Sequence, residues 1–186
     1  KADPSVRVVV LAGAGDRAFC AGGDLRQMGD AQADPFNAHL GRSNLAGLFR
    51  DLWELGKPTV ARVQGFALAG GFGVATACDF IVAVDDQVYG LATPEGVVLT
   101  QRGQMAWLAA RFGESVAALL ATSADLFSGA QLRQIGWGAK VVERAQLASA
   151  VDDLCRSLSD KSSGALRLLK QHLVSEFDAR LARFDA

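Results

Sequence analysis

The amino-acid sequence predicts an α/β fold, a layer of strands and helices that gives way to helices alone toward the C-terminus. Three observations predict it. Val6 to Leu11 (VRVVVL) is a continuous run rich in β-branched residues and closed by GAGD, the pattern of a strand buried on both faces of a sheet. Thr59 to Val63 (TVARV) and Phe80 to Val84 (FIVAV) read as further strands, with a short helix of small residues from Gly71 to Cys78 between them. Beyond Gly113, apolar residues spaced for helices dominate.

After the first strand, Phe36, Leu40, Leu45, Leu48, Phe49, Leu52 and Leu55 recur at three- and four-residue steps. With Asp34 as a cap candidate and Pro35 at the first helical position, they predict an amphipathic helix ending near Gly56. The C-terminal part predicts helices over 114–122, from the capping candidate Ser128, over 145–158, and a last one carrying Leu166, Leu169, Leu173, Phe177 and Leu181. Residues 139–142 (AKVV) offer one late strand. No internal repeat, low-complexity stretch or linker divides the chain, so residues 1–113, the α/β core, and 114–186, mainly helical, are read as one structural unit.

Composition narrows the partners. With 186 residues, 50% of them hydrophobic, the chain suffices for one sizeable core. A net charge of -1, with both signs interspersed, argues against nucleic acid or an anionic membrane and for a small-molecule partner. Cys20, Cys78 and Cys155 lie far apart with no CxxC pair, which suggests neither a disulfide framework nor a zinc site and fits a reducing cytoplasm. No apolar run approaches the roughly 18 residues of a membrane helix, and no charged-then-apolar leader opens the chain. It starts at Lys1 rather than Met and enters its first strand within a few residues, as expected of a piece of a longer chain.

Two glycine-rich stretches are the candidates for chemistry: AFCAGGDL at 18–25 and ARVQGFALAGGFGVATACD at 61–79. Each alone reads as a turn that needs glycine. Dinucleotide binding is disfavoured, because LAGAGD follows a strand but completes no GxGxxG and opens no helix. Together, the stretches allow amides from two loops to converge on one ligand atom. Two preorganised N–H donors are strong stabilisers of negative charge developing on a carbonyl oxygen, and bulky side chains would obstruct that approach.

Here the sequence resembles the crotonase, or enoyl-CoA hydratase/isomerase, superfamily. The residues that carry the resemblance are VRVVVLAGAGDRAFCAGGDLRQM (6–28), KPTVARVQGFALAGGFGVATACDFIVA (57–83) and, more loosely, SGAQLRQIGWGAKVV (128–142). The resemblance implies a crotonase-like spiral of ββα units with C-terminal helices, and assembly as homotrimers or dimers of trimers. It also implies a further strand-helix unit ahead of VRVVVL, absent from this chain. The peptide N–H groups of Gly23 and Gly70 would form an oxyanion hole for the thioester carbonyl of an acyl-CoA substrate, with Ala21, Asp24 and Leu25 beside them. Coenzyme A is then part of the substrate, and neither a separate cofactor nor a metal is expected.

Hydratases of the superfamily use two glutamates. The first belongs three residues after the oxyanion glycine, where this chain has Gly73. The second belongs in a G-x-P-E segment. Here YGLATPEG places Pro94 and Glu95 two residues further from Gly90 than that pattern, and an ungapped count puts Thr93 at the position. Glu95 is the catalytic candidate if the loop absorbs the offset, and a solvated loop glutamate otherwise. Among other ionisable groups, His39 and His172 read as surface residues, Asp24 as a loop anchor, and Cys20 as a small core residue. Met105 and Trp107 fit a helix packing face or the wall of an acyl pocket. The function implied is that of an enoyl-CoA hydratase, with a double-bond isomerase using one glutamate and a silent acyl-CoA-binding homologue as alternatives.

Overall fold

The computed structural model of the chain describes residues 3–24, 44–45, 47–92, 102–138 and 140–185, and within these not the side chains of 102–106 or 176–185. The strands are β1 (Val9–Ala12), β2 (Ala18–Cys20), β3 (Thr59–Val63), β4 (Phe66–Leu68), β5 (Phe80–Val84), β6 (Val88–Gly90), β7 (Phe127–Ser128) and β8 (Lys140–Val142). The helices are α1 (residues 47–53), α2 (Gly70–Ala77), α3 (Arg102–Phe112), α4 (Glu114–Thr122), α5 (Gly129–Gln134), α6 (Leu147–Ser159) and α7 (Ser163–Asp185).

Two sheets result, because each turn of the chain lays one strand in each. The first has the order β1-β3-β5-β8 and the second β2-β4-β6-β7. All pairings are parallel except β6 with β7. This is the spiral of ββα units that the resemblance implies.

Strands β3 and β5 explain why their runs read as continuously apolar. Successive side chains point to opposite faces, and both faces are covered. Ala61, Val63, Ile81 and Ala83 enter the main core with Phe72, Tyr89 and Trp137. Val60, Val82 and Val84 face the other way, onto Leu147, Ala150, Val151 and Leu158 of α6.

The first strand departs from expectation. Val6–Leu11 was expected to be buried on both faces, but the strand starts at Val9, and Val10 remains 43% exposed. Its position explains this: among the described residues β1 is the edge of the first sheet, paired only with β3, so Leu11 packs on the main core while the alternate residues look outward. Strands β2, β4, β6 and β7 were not anticipated from periodicity, at two or three residues each. They form the sheet whose strands β2 and β4 lead into the two glycine-rich stretches.

Candidate active site

Helix α2 is a weak helix by composition. Three of its first four residues are Gly70, Gly71 and Gly73, and glycine costs about 1 kcal/mol per helical position relative to alanine. Eight residues are also too few for a helix to stand alone in water. Its N-cap, Ala69, has φ 49 and ψ -122 and offers no side-chain cap. That conformation costs a residue with a Cβ about 1–3 kcal/mol and persists only where neighbours enforce it. Here the Ala69 N–H donates to Gly90 O at 2.8 Å, and Ala69 O accepts from the Gly73 N–H at 3.1 Å.

The two glycine-rich stretches meet. Strand β2 pairs with β4, which brings the residues following each strand side by side. A Cβ on Gly71 would lie 2.1 Å from Cys20 O, so position 71 has no room for any side chain. Gly22, at φ +98, sits so close that a Cβ there would lie 3.1 Å from the Ala69 Cβ and 3.3 Å from Gly70 N. A Cβ on Gly70 would fall 3.7 Å from the Gly22 Cα and 3.3 Å from Leu45 Cδ2. Gly70 is the first residue of α2, where backbone N–H groups have no intrahelical partner. Among the described residues no acceptor meets the Gly70 N–H. The positive end of the helix dipole lies there too.

The surrounding residues hold this junction in place. The buried Gln64 side chain donates to Gly15 O at 3.1 Å and Ala18 O at 2.9 Å. Its Oε1 accepts from the Gly13 N–H at 3.4 Å. Gln64 thereby fixes the turn that delivers β2. At the far end of α2, Arg111 donates to Thr76 O, Cys78 O and Asp79 O, and Trp107 Nε1 donates to Thr76 O at 2.7 Å. Asp79 Oδ2 accepts from the Thr59 N–H, the Thr59 hydroxyl and Lys170 Nζ at 2.8, 2.9 and 2.7 Å. Burial pulls the Arg111 guanidinium below its ordinary value and pushes the Cys78 thiol up to about 12. Cys78 is therefore an inert thiol at neutral pH.

Of the residues singled out from sequence, Ala21, Gly23, Asp24 and Gly70 fall at this junction, the first three exposed. Leu25 and Glu95 lie outside the described residues, as do Thr93 and His39. Gly73 is buried inside α2 with its carbonyl accepting from the Thr76 hydroxyl at 2.8 Å. Cys20 is half-buried against the core, Trp107 is buried, and His172 is exposed. Sequence reasoning missed Ala69, Gln64 and Arg111. Gln64 left a trace, as a lone amide between two apolar strands; the hydrogen bonds of Arg111 go to backbone carbonyls of residues more than thirty positions away.

Comparison with known proteins now fixes the class. A family model described as enoyl-CoA hydratase/isomerase matches residues 1–185, and the chain belongs to that family. It is 31% identical over 170 residues to mevalonyl-coenzyme A hydratase sidH of Aspergillus fumigatus, which covers 91% of this chain and 62% of that protein. Two solved structures share the fold. An enoyl-CoA hydratase from Mycobacterium avium subsp. paratuberculosis K-10 has 27% identity and a TM-score of 0.80, covering 98% of this chain and 73% of that one. A monofunctional enoyl CoA isomerase from M. smegmatis has 25% identity and a TM-score of 0.74, covering 95% and 74%. The chain thus spans about three fifths of the length of the A. fumigatus relative. Among the described residues, no helix is long and apolar enough to cross a membrane.

Proposed function

We propose that this chain handles an acyl-CoA thioester by holding its carbonyl oxygen between the N–H groups of Gly23 and Gly70, and that the protein acts as an enoyl-CoA hydratase. The observation that carries the reading is the contact of Gly22 with Ala69 and Gly70 at the start of α2. Two stretches about fifty residues apart thereby present bare backbone to one place. Negative charge moving onto the thioester oxygen during proton transfer at the adjacent carbon would meet two fixed donors, and a single such donor supports about 2.7–4 kcal/mol of transition-state stabilisation in other enzymes.

Hydration adds the oxygen of water to the β-carbon and a proton to the α-carbon. Glu95 is assigned the proton transfer at carbon, because it is the carboxylate in the segment where the family resemblance places one. Desolvation against an acyl chain would raise its pKa toward neutrality, as reversible proton donation near pH 7 requires. Glu95→Gln keeps the shape and removes the proton, so turnover should fall about 10²–10⁴-fold while acyl-CoA binding persists. Unchanged rates would remove Glu95 from the mechanism.

One observation favours a second reading. Gly73, at the position of the other glutamate, is buried and has no side chain to orient water. An isomerase that shifts a double bond needs only one group to carry a proton between carbons, so enoyl-CoA isomerisation is the runner-up. Incubation of the protein with crotonyl-CoA and with a 3-enoyl-CoA in heavy water separates them. Hydration gives a 3-hydroxyacyl product with deuterium on the α-carbon. Isomerisation interconverts the enoyl-CoAs with deuterium entering at the α- or γ-carbon, and neither product leaves a silent acyl-CoA-binding homologue. A homotrimer, or a dimer of trimers, is proposed as the working assembly. Leu168, Leu169 and Leu173 on α7 are 64%, 61% and 62% exposed, which supports burial against another subunit; sedimentation as a clean monomer would count against it.

A further inference from the structure

We infer that Arg111 is a positioning residue for the Gly70 N–H, acting through the whole length of α2. This rests on the two-glycine reading of the preceding subsection. Helix α2 begins with a donor that must stay open to a ligand, so no side chain can cap it. The N-cap is Ala69, and no side-chain cap bond is made. The glycines that keep the N-terminal end bare also give the backbone there its greatest freedom. A short glycine-rich helix of this kind cannot fix its own direction, and the aim of its first N–H depends on where the rest of it is held.

The Ala69–Gly90 hydrogen bond and the packing of Gly71 on Cys20 place the first residues; a second hold, which sets the direction of the axis, is at the other end, about 12 Å away at 1.5 Å per residue. Arg111, at the end of α3, spans three carbonyls: its Nη1 donates to Thr76 O at 2.7 Å and to Cys78 O, and its Nη2 to Asp79 O at 2.8 Å. Thr76 O accepts from Trp107 Nε1 as well, at 2.7 Å. The guanidinium is braced between rings, with its Cζ 5.6 Å from the Trp107 centroid and 5.5 Å from that of Phe112. The next residue along is anchored separately, since the Asp79 carboxylate is held by Thr59 and Lys170. A planar fork is suited to this task, because it places several N–H groups in fixed directions, and a lysine offers one point charge instead. A cation at this end also opposes the negative pole of the helix.

The test uses the full chain, with an aryl-conjugated 2-enoyl-CoA as the probe, whose extended conjugation opposes hydration and so keeps the chromophore on the protein. A bound conjugated thioester absorbs at longer wavelength when its carbonyl is polarised by the two amides, which reports on their aim independently of turnover. Arg111→Lys should remain folded and bind the thioester, lose most of that shift, and lose about 10- to 100-fold in kcat with KM little changed, as a misplacement near 1 Å does. Trp107→Phe keeps an aromatic ring and removes one donor; it should lose shift and kcat in the same sense but less. The inference is overturned if Arg111→Lys keeps the wild-type shift and kcat. It is also overturned if activity falls only in proportion to the fraction of chains folded. Should Arg111→Lys fail to fold, Trp107→Phe decides by the same criteria. A wild-type protein that binds the probe without any shift overturns the two-glycine reading and this inference with it; a wild-type shift retained by both variants overturns Arg111 alone.

Discussion

At its N-terminal end α2 carries Gly70 and Gly71 behind a strained Ala69, with no side-chain cap and no acceptor for the Gly70 N–H among the described residues. At its C-terminal end, eight residues on, Thr76 O, Cys78 O and Asp79 O are all taken up by Arg111, Trp107 adds a further donor, and Asp79 binds Thr59 and Lys170. One end leaves a donor open, and at the other three carbonyls are held by side-chain donors. On the proposed reading the difference follows from what each end is for: a donor reserved for a ligand is left unsatisfied by the protein, and the order lost there is supplied from the opposite end.

The largest expected effect comes from removing the open donor. Position 70 is the first helical residue, where proline is tolerated, but proline disfavours the observed conformation of the residue before it. The substitution is therefore best made as Gly70→Pro with Ala69→Gly. Compared with Ala69→Gly alone, it should lower kcat/KM by about 10²–10³, corresponding to about 2.7–4 kcal/mol, in steady-state assays with an enoyl-CoA. A loss below tenfold would mean that the bare end of α2 does not contact the reacting carbonyl.

A smaller effect, of opposite sign for stability and activity, is expected at Ala69 itself. Ala69→Gly relieves the strain of φ 49, worth about 1–3 kcal/mol, against the entropy of a new glycine, about 0.5–1 kcal/mol. Urea unfolding should show equal or higher stability, by about 1 kcal/mol. Turnover should fall several-fold because the strain fixes the direction of the next N–H. Lower stability with unchanged turnover would show that the conformation serves packing alone.

The smallest effect concerns the closed end. Cys78 is buried, and burial pushes its thiol up to about 12 from 9.0. The folded state thus keeps a proton that the unfolded chain gives up above pH 9. Stability from this group is complete below pH 9 and is lost as the pH rises toward 12. Between pH 9 and pH 10, unfolding free energy should drop by about 1 kcal/mol relative to a Cys78→Ala variant. Equal pH dependence in the two proteins would show that this end is open to water.

The same contrast explains what could be read in advance. Strands β3 and β5, covered on both faces, reveal themselves as apolar runs and were anticipated residue for residue. Strands β2, β4, β6 and β7 are too short to carry a period, so the second sheet came only with the resemblance. In the site, the two glycine-rich stretches were legible as stretches, and the structure gives the reason at Gly22 and Gly71, where glycine alone fits φ +98 or a carbonyl 2.1 Å from its Cβ position. Ala69 was not, since strain imposed by partners leaves an ordinary letter in the sequence. Arg111 was not either, because its acceptors are carbonyls, which every residue has.

The most direct test of the central claim is a crystal structure of the protein with an acyl-CoA thioester bound. The account predicts the thioester oxygen between the two loops, within about 3 Å of both the Gly23 and Gly70 nitrogens. A thioester bound elsewhere, or an oxygen that only one of those nitrogens reaches, would contradict it.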